Sequence, residues 1–151
     1  MKVSDYLKKE FCITDLKAQA KQEVIVEIVE CLPATSGVTD KQRFIADIMK
    51  REQLGSTGIG HNVAIPHSPT EGVEGFVVAF GRSAQGIDFD AIDGEKVNLI
   101  FLMGTNPNEL NLYLKVLAKL SKLLNEESFR HELISAANPD EVVNIFAKYE
   151  T

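Results

Sequence analysis

Leu99-Ile100-Phe101-Leu102-Met103 is an unbroken apolar run, and Phe76-Val77-Val78-Ala79-Phe80 is another earlier in the chain. Short continuous runs of this kind, with aromatic and β-branched residues, predict strands covered on both faces. Such strands need a layer on each side, and helical patterns stand both before and after them in the sequence. Val63-Ala64-Ile65, closed by Pro66, adds a shorter strand. The fold class is therefore α/β, a three-layer sandwich in which a mixed β-sheet carries helices on both faces.

Working outward toward the N-terminus, Leu16, Ala20, Val24, Ile28 and Cys31 recur at helical spacing and predict a helix over 16–31. Thr39-Asp40-Lys41-Gln42 reads as a capping box opening a second helix, with Phe44, Ile45, Ile48 and Met49 on one face. That helix should stop near Leu54-Gly55. Between the two long strands, Asp88-Phe89-Asp90-Ala91-Ile92-Asp93-Gly94 reads as an irregular segment with a turn. Beyond the second strand, Asn106-Pro107-Asn108-Glu109 supplies a helix start, and Leu110, Leu114, Leu117, Leu120 and Leu124 follow at helical spacing. Asn138-Pro139-Asp140-Glu141 repeats that start for a last helix holding Val142, Val143, Ile145 and Phe146.

Bulk properties narrow the class. The 151 residues suit a single domain, 1–151, and contain neither an internal repeat nor a linker. A formal net charge of -6 argues against a nucleic-acid partner, which would be held by clustered Lys and Arg. No apolar run reaches the length of a membrane span, so direct membrane insertion is not expected. Cys12 and Cys31 are isolated in the sequence; two buried thiols in a reducing cytoplasm is the expected state, with a disulfide as the alternative. The expected location is cytoplasmic.

The chemistry gathers in residues 51–67, Arg51-Glu52-Gln53-Leu54-Gly55-Ser56-Thr57-Gly58-Ile59-Gly60-His61-Asn62-Val63-Ala64-Ile65-Pro66-His67. The glycines and the Ser56-Thr57 pair leave amides and hydroxyls available to meet an anion. Neither a Walker A loop nor a Rossmann fingerprint is present, because no Lys-Ser/Thr follows the last Gly and no helix pattern follows the loop. His67 stands at a strand end behind Pro66, where it could serve as nucleophile, base, ligand or satisfied polar residue. Metal binding would need a third ligand, and His61 and His131 are the only other imidazoles.

Ser-Thr-Gly-Ile-Gly-x-x-Val-Ala-Ile-Pro-His resembles the active-site signature of phosphotransferase-system IIA domains of the fructose, mannitol and nitrogen-regulatory type. Arg51-Glu52, the segment from Gly86 to Gly94 and the leucine-rich helix agree with it, so the similarity covers about residues 3 to 148. The resemblance implies a phosphohistidine at His67, charged by a small histidine phosphocarrier protein. It also implies Arg51 as the guanidinium beside the phosphoryl group; the glycine loop supplies the expected phosphate environment, Ser56, Thr57, Gly58 and His61. Most members carry a second His in the leucine-rich helix, and here Tyr113 occupies that place in Tyr113-Leu114-Lys115-Val116-Leu117. Tyr113 reads either as a hydroxyl donor to phosphate or as a core aromatic in register with Leu117, Leu120 and Leu124.

The expected function is accordingly that of a phosphoryl carrier, with no metal, nucleotide or organic cofactor implied. A free-standing chain without fused IIB or IIC segments favours the nitrogen-regulatory branch, where the downstream partner is a regulated protein. Two alternatives stay open: a regulatory binding module that is never phosphorylated, and a sugar-transport IIA that passes phosphate to a separate IIB component. His131 reads as a solvated helix residue.

Overall fold

In the computed structural model, which describes residues 1–151, the chain runs β1 (Cys12–Ile13), α1 (Lys21–Glu30), α2 (Lys41–Glu52), β2 (Gly58–Gly60), β3 (Val63–Ala64), β4 (His67–Pro69), β5 (Phe76–Ile87), β6 (Val97–Thr105), α3 (Leu110–Leu124), α4 (Glu127–Ser135) and α5 (Pro139–Tyr149). Short 3-10 turns precede β1, follow α1 and lead into α3. The two apolar runs are the spine: β5 and β6 pair antiparallel from Phe76↔Thr105 to Arg82↔Leu99. β1 lies parallel to β5 on one side. On the other side β6 is met in parallel first by β3 and then, farther along, by β4. β2 closes the edge antiparallel to β3.

The register assigns the two faces. Gly81 and Gly104 point the same way, and a Cβ at either would strike Ile28 of α1 or Phe44 of α2 at 2.7 and 2.5 Å. The helices α1 and α2 thus cover that face, and glycine at 104 is what admits the Phe44 ring. Phe80 and Phe101 alternate to the opposite face, where Phe101 meets Phe146 of α5 edge-on and Phe146 meets Phe129 of α4. The expected mixed sheet with helices on both faces is what forms. A single cluster of 38 buried apolar residues runs through both interlayers, and each fully buried Phe contributes roughly 1.5–3 kcal/mol.

Helix boundaries differ from the sequence pattern in three places. α1 starts at Lys21, not near Leu16, because the Leu16 amide donates to Arg82 C=O and continues the β1–β5 pairing instead. α2 is capped by Asp40, whose carboxylate accepts the Arg43 amide, while the Thr39 hydroxyl donates to Gly72 C=O. It ends at Glu52. In α3 the buried face is Tyr113, Val116, Leu120 and Leu124, leaving Leu110 and Leu114 exposed. Leucines surround more than half of that helix, so spacing alone does not select the face; packing of Tyr113 on Phe76 does. Cys12 is buried, and burial, with the nearby Glu10 carboxylate, pushes its thiol up to about 12. Cys31, expected to be buried, is exposed because it follows the last residue of α1; both thiols are free.

Candidate functional site

His67 opens β4 and sits opposite Met103 of β6, so its side chain leaves the sheet on the face that α3, α4 and α5 cover. Pro66 restricts the backbone just before it, and Pro66 C=O accepts the Met103 amide at 3.0 Å. The imidazole is half-buried, and its Nδ1 lies 2.7 Å from Ile65 C=O. A carbonyl oxygen only accepts, so Nδ1 carries the proton and Nε2 keeps its lone pair. Burial lowers the proton affinity of the ring, the bond to Ile65 works against that, Arg51 lowers it further and Glu52 raises it. The balance lies below the ordinary imidazole value, which keeps the ring neutral at neutral pH.

Two further residues approach the ring. Tyr113, in the first turn of α3, places its ring centroid 5.5 Å from that of His67 with the planes inclined by 33°. Tyr113 is 8% exposed. Burial raises the phenol above its ordinary range, with Arg51 opposing, so the hydroxyl stays protonated and able to donate. Arg51 lies in the last turn of α2, where its guanidinium donates to Gly55 C=O at 2.9 Å. Its charge reaches both His67 and Tyr113. His67 and Tyr113 therefore meet from β4 and α3, within reach of the Arg51 charge at the end of α2.

The glycine loop is used differently. The Ser56 hydroxyl donates to Phe89 C=O and accepts the Gly58 amide at 3.0 Å. The Thr57 hydroxyl is buried and donates to the Glu52 carboxylate, to which the Thr57 amide also donates at 3.3 Å. Both hydroxyl protons are thus spent inside the protein. Gly58 lets the loop lie against the segment 88–94: a Cβ there would stand 2.8 Å from Ala91 Cα, and Gly58 C=O accepts the Ile92 amide at 3.1 Å. His61 and Asn62 both have positive φ, 56° and 65°, and form the tight turn between β2 and β3. His61 is exposed there, beyond Val63, which pairs with Leu99, whereas His67 pairs with Met103. Four residues of strand separate those two registers, roughly 13 Å. His131 is exposed on α4. No group of three or more His, Cys, Asp and Glu side chains is gathered to hold a metal ion, and no helix is long and apolar enough to cross a membrane.

Sequence reasoning did not single out Lys21. Its ammonium lies 2.8 Å from Glu52 Oε1, with both side chains largely buried. The two residues belong to different helices, and no local spacing signals such a pair.

Comparison with known proteins gives a consistent result. The family model described as "Phosphoenolpyruvate-dependent sugar phosphotransferase system, EIIA 2" matches residues 5–149. The chain is 33% identical over 150 residues to the PTS system fructose-specific EIIABC component of Bacillus subtilis, covering 99% of this chain and 24% of that protein. It thus spans about a quarter of that relative's length. A nitrogen regulatory protein of Bradyrhizobium diazoefficiens is 27% identical over 147 residues, covering 97% of this chain and 95% of that one. The crystal structure of nitrogen regulatory protein IIA-Ntr from Neisseria meningitidis superposes with a TM-score of 0.88 at 30% identity, covering 95% of this chain and 98% of that chain.

Proposed function

The chain belongs to the EIIA 2 family of the phosphoenolpyruvate-dependent sugar phosphotransferase system, and on that premise we propose that it carries a phosphoryl group on Nε2 of His67. The observation that carries this reading is the bond from His67 Nδ1–H to Ile65 C=O, which leaves one lone pair, on Nε2, for a phosphorus atom. The donor is a small histidine phosphocarrier protein. In the transfer, the Nε2 lone pair forms the new N–P bond as the donor's N–P bond breaks, and that electron pair returns to the donor imidazole. His67 keeps its Nδ1 proton, so the ring becomes cationic and the Ile65 carbonyl shares the charge.

Arg51 supplies fixed positive charge for the oxygens of the transferring group, in the manner of a guanidinium clamp. Tyr113, whose ring lies 5.5 Å from that of His67, offers a hydroxyl. It is a donor without a charge, so the phosphoryl group rests on one cation, Arg51. Ser56, Thr57 and Gly58 act on this site by holding the loop in shape.

The acceptor we assign is a regulated protein of the nitrogen-regulatory branch, supported by the agreement with the Neisseria IIA-Ntr structure over 95% of the chain. A second acceptor, a sugar-specific IIB component, is supported by the 33% identity to the fructose-specific relative. The test is direct. Incubated with phosphoenolpyruvate, Enzyme I and the cognate phosphocarrier, the protein should gain one acid-labile, base-stable phosphate, and His67→Ala should not. Label that persists in the variant, or never appears on the wild type, would overturn the assignment in favour of a binding module. Adding a fructose-type IIB separates the acceptors: the phosphate should stay on His67 in the nitrogen-regulatory case and be drained in the sugar-transport case.

A further inference from the structure

Glu52 follows Arg51 in sequence, yet its carboxylate turns into the protein, with 5% of the side chain exposed. A carboxylate removed from water keeps its charge only where partners replace its hydration. Here the Lys21 ammonium at 2.8 Å, the Thr57 amide at 3.3 Å and the Thr57 hydroxyl do so. Lys21 itself lies 5.2 Å from the centroid of the Phe89 ring, inside the same cluster.

From this carboxylate a series of hydrogen bonds leads to the imidazole. Thr57 is fixed by Glu52, and Thr57 C=O accepts the Ile65 amide at 3.0 Å. Ile65 C=O then accepts His67 Nδ1–H at 2.7 Å. We propose that Glu52, paired with Lys21, is a positioning residue for phosphoryl transfer: it fixes the segment that orients His67, and its negative field favours the imidazolium formed when Nε2 takes the phosphoryl group. This rests on the reading of His67 as the acceptor.

Ile65 C=O from its own segment and Tyr113 from α3 border the His67 ring, and the charges of Arg51 and Glu52 at the end of α2 act on it. After the bond to Ile65 C=O, which raises the proton affinity of His67 more, the Glu52 charge raises it too, the smallest of the four influences on the ring. A charge that favours a proton on the ring also favours the positive ring of the N-phosphoryl state. Arg51 works on the phosphoryl oxygens, so the adjacent residues 51 and 52 serve the two ends of the new N–P bond.

Glu52→Gln keeps the length and an acceptor for Thr57 while removing the charge. Two quantities are read on folded protein: the protonation midpoint of His67 by NMR, and the rate of phosphate transfer from the phosphorylated carrier. The midpoint should fall below that of the wild type, and transfer at neutral pH should slow by about tenfold, less than the hundredfold expected where a group touching the reacting atoms is lost. Lys21→Met combined with Glu52→Met removes the pair without leaving a lone buried charge. It should show the same two changes, which keeps the test in force if the single variant does not fold. A lowered melting temperature with midpoint and rate unchanged would overturn the inference and leave the pair a purely structural one. A wild type that takes up no phosphate would instead remove the acceptor reading, and the inference with it.

Discussion

Tyr113 is at once the neighbour of His67, at 5.5 Å between ring centroids, and of Phe76, at 6.4 Å. Phe76 in turn meets Tyr6 edge-on at 5.4 Å, so an aromatic row joins the first residues of the chain to the site. Tyr113 is packed as a core residue, and its ring lies tilted beside the imidazole.

Tyr113→Phe removes the hydroxyl and keeps the packing. If that hydroxyl donates to the phosphoryl group, a bond to a charged acceptor of about 1.5–3 kcal/mol is lost. Transfer should fall by about ten- to a hundredfold with the melting temperature nearly unchanged. Tyr113→His should retain or raise transfer, since it restores a second imidazole. It should also lower the melting temperature, because the smaller polar ring gives up contact with Phe76. Wild-type rates from the Phe variant would remove Tyr113 from the site.

Arg51→Met keeps the apolar stem and removes the charge. Transfer should slow by about a hundredfold or more, the usual consequence of losing a fixed donor to a transferring group. The bond to Gly55 C=O goes as well, so a small loss of stability is expected, about 0.5–1.5 kcal/mol. A large loss of stability with normal transfer would assign Arg51 to the helix end alone. Rapid-quench transfer assays paired with thermal melts separate the outcomes.

The proton affinity of His67 lies below the usual imidazole value of about 6.5. Two signs follow. Nε2 stays free through neutral pH, so transfer should hold its rate there and decline on the acid side with a midpoint below that value. As pH falls through the unfolded-state value toward the folded one, the unfolded chain binds the proton more readily than the native protein. Stability from this group is therefore full above the unfolded value and is lost as the solution is acidified. In His67→Ala that part of the acid dependence should vanish; a pH series of melts on both proteins checks it.

Gly58→Ala would bring a methyl within 2.8 Å of Ala91. Overpacking of this kind costs about 1–3 kcal/mol, and here it would part the glycine loop from the segment 88–94. Both stability and transfer should fall. Ala91→Gly in the same chain should recover only part of the loss, because it removes the Ala91 methyl and leaves the Cα at 2.8 Å. A double-mutant cycle measures this coupling directly. Equal loss in single and double variants would show that Gly58 is needed for another reason.

Local signals in the sequence were read correctly where the interaction is itself local. Asn106 and Asn138 accept the amides of Asn108 and Glu141, as their Asn-Pro starts imply, and the apolar runs at 76–80 and 99–103 became the paired strands of the spine. The order of residues 51–67 also puts Pro66 directly before His67 and Arg51 before the glycine loop. The continuous apolar runs and the cap and turn residues thus determine the layers, and Pro66 the local backbone at His67, by short-range sterics and hydrogen bonding. Only the tertiary structure decided which hydroxyls remain free, because Ser56 finds Phe89 and Thr57 finds Glu52 through the way the loop folds back. It alone turned Leu110 and Leu114 outward, joined Lys21 to Glu52 and set Tyr113 against His67. Each of these depends on which surface is packed across the gap, and a pattern repeating every two or every 3.6 residues cannot specify what lies on the other side.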